Sequence, residues 1–204
     1  MKKSDFDLSH QNQNTESRIV ASLEKIAQAF RVLLWQESRE FSLSPIQVQV
    51  LIFLQYHSEE KRKVSYLAGE FNMTKATISD TVKSLDQKGL IRKAYEPNDT
   101  RSYIIHLTEA GREIAAKASL FTRELHTPID KLHADDKENL LLSLLNIIRH
   151  LNKAGIITIQ RMCTTCAYYQ QSENGQKHFC QLLNQNLQVT DLRLDCPEHE
   201  LKVE

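Results

Sequence analysis

Between Lys63 and Thr108 the apolar positions change period, and the change predicts a sequence of elements. Val64, Leu67, Ala68 and Phe71 recur at i, i+3, i+4 and i+7, the buried stripe of a short helix that Asn72-Met73 breaks. Thr74 is the expected N-cap of a second helix carrying Ile78, Val82 and Leu85, and Gly89 stands where a C′ glycine belongs. Past Gly89, Leu90-Ile91-Arg92-Lys93-Ala94-Tyr95 and Tyr103-Ile104-Ile105-His106-Leu107 read as two strands joined through Glu96-Pro97-Asn98-Asp99-Thr100-Arg101.

Two helices at a sharp turn followed by a basic hairpin have the anatomy of a winged helix-turn-helix. The second helix also has the polar face such a unit needs. Rotating about 100° per residue from Ile78, Val82 and Leu85 puts Ala76, Asp80, Lys83 and Gln87 opposite, with Lys75, Thr77 and Ser79 near the helix start. Small, hydroxyl and lysine side chains suit a major groove, so Lys75, Thr77, Ser79, Asp80 and Lys83 form the candidate DNA-facing set. The Pro-Asn-Asp turn followed by Arg101 places a guanidinium at the exposed end of the hairpin, the geometry that admits an arginine to an electronegative minor groove.

The flanks predict helices with more apolar surface than one subunit buries. Residues 1–16 are polar apart from Phe6 and Leu8 and are expected as a mobile arm. In 17–43, Ile19, Val20, Leu23, Ile26, Ala27, Phe30, Leu33 and Leu34 make a broad helical stripe. Ser44-Pro45-Ile46-Gln47 is a capping-box start for a buried helix that opens the winged helix-turn-helix, 44–108. In 109–161, Thr108 caps a helix expected to reach about Leu125, Thr127-Pro128 interrupts it, and Asp135-Asp136 opens a leucine-rich helix through Leu151. Leu144, Ile148 and Leu151 are the expected seam of a two-fold homodimer; a monomeric bundle is the competing reading. A dimer sets two recognition helices in successive major grooves, about 34 to 36 Å apart, of a pseudo-palindromic operator.

Composition narrows the class. The 204 residues are 41% hydrophobic and 25% charged, as in globular proteins, and the apolar runs are too short to span a bilayer. With no apolar leader after Met1-Lys2-Lys3, a cytoplasmic protein is expected. The formal net charge is +0, yet from Lys61 to Leu107 nine basic residues face five acidic ones, a local excess of four positive charges. No Gly-rich phosphate loop, Gly-x-Ser-x-Gly or His-Glu-x-x-His occurs, so no enzyme is read here.

Leu67-Ala68, Thr77-Ile78-Ser79, Val82, Leu85, Lys88-Gly89-Leu90-Ile91, then Asp99-x-Arg101 and Leu107-Thr108-x-x-Gly111, occur in an order that resembles the MarR family of bacterial transcription regulators over roughly residues 17 to 152. The resemblance implies a homodimeric, sequence-specific DNA-binding regulator, read as a repressor, that occupies a double-stranded operator. It also implies that Arg101 enters the minor groove, that Asp99 holds the wing by a local ion pair, and that a small-molecule effector binds between the dimerisation helices and the DNA-binding lobe. Many members carry a further basic residue just after the wing arginine, where this chain has Tyr103 and Ile104.

All four cysteines fall in 162–204, outside that resemblance, as Cys163-Thr164-Thr165-Cys166, Cys180 and Cys196. A Cys-x-x-Cys pair offers two thiolates to one corner of a tetrahedron, and two further cysteines complete a site suited to structural zinc. An iron-sulfur or redox-responsive thiol site, and reduced unligated cysteines, are the other readings; His178 and His199 stand near enough in sequence to replace a sulfur. The fold class expected is mainly α with a small β wing (α+β): a winged helix-turn-helix, a helical dimerisation domain and a small C-terminal metal-bound segment. The competing function is a metal- or redox-responsive protein-interaction module whose winged helix binds a protein.

Overall fold

The segment expected as a mobile arm holds one turn of helix, α1 (Leu8–Gln11), started by Asp7, whose carboxylate accepts the Ser9 N–H at 3.0 Å. A computed structural model describes residues 4–96, 99–172 and 177–202, without the side chains of 96 and 99–101. Asn14 then caps α2 (Thr15–Glu40), a helix of 26 residues. Its C-terminal part touches the core through Leu34, but Ile19, Val20, Ile26, Phe30, Val32 and Trp35 stay exposed in the single chain, Trp35 at 57%.

Ser44, Pro45 and Gln47 form the expected capping box at the start of α3 (Pro45–Tyr56), with both reciprocal hydrogen bonds made. Val48, Val50, Leu51, Phe53 and Leu54 of this helix are buried, which makes it the scaffold of the larger core. Gln47 Nε2 donates to Ser84 Oγ at 2.8 Å and so joins α3 to the helix lying across it. Next come α4 (Val64–Glu70) and α5 (Lys75–Gln87), separated by a turn in which Asn72 takes φ 49°. Leu67 and Ala68 from α4, with Ile78, Val82 and Leu85 from α5, are the stripes foreseen, and all enter the core.

Gly89 follows α5 with φ +69°, a left-handed position that favours glycine. The wing is β1 (Ile91–Glu96) paired antiparallel with β2 (Asp99–Leu107) from Ile91↔Leu107 to Tyr95↔Tyr103, with an irregularity between Tyr95 and Glu96. The paired strands reach further than the tip of six residues expected from the sequence.

Thr108 caps α6 (Glu109–Ala118). The break after it differs from expectation. The chain leaves the helix at a 3-10 turn over Ser119–Thr122, where the Ser119 hydroxyl donates to the Ala116 carbonyl, and resumes as α7 (Arg123–Asp130) with Pro128 inside it. The helix therefore breaks at Ser119 rather than at the expected Thr127-Pro128, which α7 accommodates within its length. The leucine-rich α8 (Ala134–Lys153) begins with Asp135 and Asp136 in its first turn.

The last segment makes its own antiparallel sheet, in the order β3 (Tyr169–Gln171), β4 (His178–Cys180), β5 (Gln185–Leu187). A second core of Leu145, Met162, Leu187 and Leu192, with Leu141 and Ile148 against it, joins this sheet to α8. This bears on one residue of the expected dimer seam, Ile148, while Leu144 and Leu151 remain half-buried. Ile148 faces the protein's own tail, because Leu141, Leu145 and Ile148 form one helical stripe that the tail covers, while Leu140 and Ile147 on the adjacent stripe remain exposed. Among the described residues no helix is long and apolar enough to cross a membrane.

Candidate functional site

The N-terminus of α5 is built by Thr74, whose hydroxyl oxygen accepts the Thr77 N–H at 3.1 Å and lies 2.9 Å from the Thr77 hydroxyl. Thr81, buried, turns its hydroxyl back to the Thr77 carbonyl at 2.9 Å. The two threonines that face inward or serve the cap leave Lys75, Thr77, Ser79, Asp80 and Lys83 exposed along the outer side of the helix. Sequence reasoning thus placed its five candidates on one accessible face. Lys75 and Ser79 also line a cleft of about 300 Å³ with Lys63, Val64, Ser65, Ser102 and Tyr103, so the start of α5 opens directly onto the base of the wing.

Several nearby cations are committed elsewhere. Lys88 Nζ donates to the Ser42 carbonyl at 2.9 Å, and Arg62 Nε donates to the His57 carbonyl at 2.7 Å. Lys93 lies 3.1 Å from the Asp86 carboxylate and 5.5 Å from the Tyr103 ring centre; partial burial opposes its charge, but Asp86 holds its ammonium above the ordinary value. Among the described residues Lys75 and Lys83 have no carboxylate partner. They are therefore the lysines of this face most open to phosphate. The expected ion pair of Asp99 and the groove-reading side chain of Arg101 lie outside the described residues; the backbone of both is in β2.

The four cysteines, spread over residues 163 to 196, line one cavity of about 410 Å³. Cys163 and Cys166 flank a 3-10 turn, with Cys166 N–H donating to the Cys163 carbonyl at 2.9 Å. Cys180 is brought opposite Tyr169 by the β3–β4 pairing, and Cys196 is fixed by its N–H to the Arg161 carbonyl at 2.9 Å. The Arg193 backbone N–H donates to Cys163 Sγ at 3.2 Å, and its guanidinium donates to Cys196 Sγ at 3.4 Å. Burial pushes the Cys163 thiol up, and the three other cysteines add to that shift, as expected of sulfurs that share one neighbourhood. His178 and His199 are occupied: His178 Nδ1 lies 2.6 Å from the Tyr169 hydroxyl, and His199 Nε2 lies 3.0 Å from the Thr165 hydroxyl. Among the described residues no three His, Cys, Asp or Glu side chains are clustered tightly enough to hold a metal ion as they stand.

Sequence reasoning missed a second set of residues. Arg161, 8% exposed, forms a two-point pair with Asp195, Nε to Oδ1 at 2.6 Å and Nη2 to Oδ2 at 2.7 Å. Its Nη1 reaches Glu70 Oε2 at 2.7 Å and the Tyr66 hydroxyl at 2.9 Å, both on α4. His57 closes the group, 3.0 Å from Asp195 and stacked on Phe53 with ring centres 3.7 Å apart. Hydrogen bonding from Arg161 holds the Asp195 carboxyl well below the usual carboxylate range. One signal was available: Arg161 stands two positions before Cys163, and Asp195 stands immediately before Cys196.

Known proteins place this geometry. Residues 41–102 match the model of the MarR family. The chain is 26% identical over 98 residues to the HTH-type transcriptional regulator SarZ of Staphylococcus haemolyticus, a stretch that is 48% of this chain and 66% of that protein. It is 27% identical over 85 residues to the HTH-type transcriptional regulator BilQ of Clostridioides difficile, 42% of this chain and 57% of that one. The chain thus spans somewhat under two thirds of the length of these curated relatives. In fold it is similar to MepR of S. aureus in complex with DNA, at a TM-score of 0.57 and 22% identity over 65% of this chain and 97% of that one. It is likewise similar to FabT of Streptococcus pneumoniae in complex with DNA, at 0.58 and 20% over 68% and 99%. The protein is therefore MarR-like in sequence across its winged helix, and its fold is that of MarR-type regulators over about two thirds of its length.

Proposed function

We propose that the protein is a DNA-binding transcriptional regulator of the MarR type that works as a homodimer, with α5 in the major groove and the β1–β2 wing over the neighbouring minor groove. The observation that carries this reading is the exposed outer face of α5, where Lys75, Thr77, Ser79, Asp80 and Lys83 project beside the wing while the opposite face is sealed into the core. Lys75 and Lys83 neutralise phosphates, Thr77 and Ser79 offer hydroxyls to base edges, and Asp80 discriminates against bases that present only acceptors. Arg101 supplies the wing contact, and Asp99 orients it.

Dimerisation is supported by the apolar surface left on α2 and α8, including Ile26, Phe30, Trp35, Leu140 and Ile147. Large apolar side chains left uncovered on two helices suit an interface with a second copy. A small-molecule effector would act on such a dimer by changing the separation of its two α5 helices. The test is a mobility shift on the protein's own genomic fragments with a salt titration. Binding to a pseudo-palindromic site, with affinity falling steeply as salt rises, supports the reading; affinity that ignores salt sinks it.

A further inference from the structure

We propose that Cys163, Cys166, Cys180 and Cys196 bind one soft divalent cation, zinc by its chemistry, and that this ion fixes the position of α4 through the buried Arg161 clamp. The regulatory half rests on the DNA-binding reading, since α4 carries α5; the metal half does not.

Four observations converge on the metal. The chain has four cysteines in all, and every one lines the same cavity, although up to 33 positions separate them in sequence. All four are free thiols. Two nitrogen donors of Arg193 already point at Cys163 Sγ and Cys196 Sγ, and hydrogen bonds to sulfur favour the thiolate that a metal requires. Finally, the tail is about 40 residues long, a size that usually needs a staple, and among its described residues the buried apolar ones are few: Met162, Leu187 and Leu192 beside Cys166.

A thiolate set selects zinc or an iron-sulfur cluster over harder cations. The two histidines able to compete are held by Tyr169 and Thr165, which favours the all-sulfur set. Binding closes the four side chains on the ion. Each thiol gives its proton to solvent as its sulfur becomes a ligand, and no electron moves. Four thiolates and a divalent cation leave two negative charges, and the Arg193 guanidinium beside Cys196 offsets one of them.

The link to the winged helix is covalently short. Cys196 follows Asp195 directly, and Cys163 is two residues from Arg161. Arg161 holds Asp195 with one edge of its guanidinium and Glu70 and Tyr66 of α4 with the other. Thr158 adds a hydrogen bond to the Gly69 carbonyl at 2.5 Å, so the whole approach to the tail is laid against α4. A metal that fixes Cys163 and Cys196 therefore fixes both halves of the Arg161–Asp195 pair. Without it the segment carrying Asp195 loosens and Arg161 loses the partner that orients it towards Glu70.

The test uses the full chain purified without oxygen. Elemental analysis, visible absorbance and thiol counting are run on the wild type, on protein stripped by a chelator and re-supplied with zinc, and on Cys166→Ser and Arg161→Gln. Hydrogen exchange over residues 64–70 and operator affinity are then read on each. Expected are one zinc per chain, no visible absorbance, and, on stripping, faster exchange in α4 with roughly tenfold weaker operator binding, a typical size for coupling between sites. Zinc should reverse both changes in the wild type and neither in Cys166→Ser. Arg161→Gln should keep its zinc while α4 exchange no longer responds to the chelator. Four freely reactive thiols without stoichiometric metal overturn the site, and a visible iron-sulfur spectrum overturns the choice of zinc. Unchanged α4 exchange on stripping the wild type overturns the coupling. If α4 responds to metal but no form of the protein binds DNA, the site and its coupling stand and the DNA-binding reading is what fails.

Discussion

Thr108 and Gly89 are joined by a hydrogen bond of 2.7 Å from the threonine hydroxyl to the glycine carbonyl, while the same hydroxyl oxygen accepts the Gly111 N–H at 3.1 Å. One side chain thus ties the end of α5 to the start of α6. Gly111 completes the junction, because a Cβ there would lie 2.0 Å from the Leu90 carbonyl oxygen. The Leu-Thr-x-x-Gly exit from the wing therefore has a physical content: a cap, and a residue small enough for α6 to approach the chain that leaves α5.

Thr108→Ala should destabilise the protein by about 1 kcal/mol, the usual cost of a lost N-cap. Gly111→Ala should cost at least about 2 kcal/mol, since the obstacle is backbone and cannot rotate away. Urea unfolding of both variants checks the order. If Gly111→Ala is the milder of the two, the close approach to Leu90 is not what restricts this position.

On the DNA face, Arg101→Ala should weaken operator binding by about 1 to 3 kcal/mol, the size of the one charge-assisted groove contact proposed for it. Lys83→Ala, by contrast, should weaken binding to every sequence and lower the salt dependence by about one unit, as expected for one phosphate contact. Equal affinity of both variants and the wild type would exclude this face.

The local signals were readable because each is settled within a few residues. Ser44 and Gln47, Thr74, Gly89 and Thr108 all do what their spacing predicted. The Arg161 clamp was not readable: its partners Glu70 and Asp195 stand 91 and 34 positions away, and no periodicity records a charge that pairs across the fold. The gathering of the cysteines was legible as a count and a spacing, but the support given by Arg193 was not. The leucine face of α8 was recognised as needing cover, yet a one-residue step along a helix turns a side chain by about 100°, and that step separates a stripe covered by the tail from one that is open.

That division gives an assembly prediction. Ile147 is 38% exposed and lies off the tail, whereas Ile148 packs against the second core. Ile147→Asp should place a carboxylate in the dimer interface and yield monomers, while Ile148→Asp should release the tail to proteases and leave the dimer largely in place. Sedimentation and limited proteolysis separate the two. Monomers from Ile148→Asp and an intact dimer from Ile147→Asp would reverse the assignment of the two stripes.

Arg161 itself should be among the most sensitive polar positions in the chain. Its side chain is 9% exposed, and it faces Glu70 at 20% exposure on one side and Asp195 at 43% on the other. Arg161→Met keeps most of the packing against Phe53 and Tyr66, whose ring centres lie 5.9 Å from the guanidinium carbon, but leaves Glu70 without its cation. Breaking a buried pair by removing one partner costs about 3 to 5 kcal/mol, and the lower end applies because water reaches the Asp195 side. Glu70→Gln should cost less, since the amide oxygen still accepts from Arg161 and no charge is stranded in the interior. Chemical denaturation at neutral pH with zinc present measures both. Arg161→Met unfolding at the wild-type denaturant concentration would show that the clamp adds nothing to stability and that the tail is held against α4 by its apolar contacts alone.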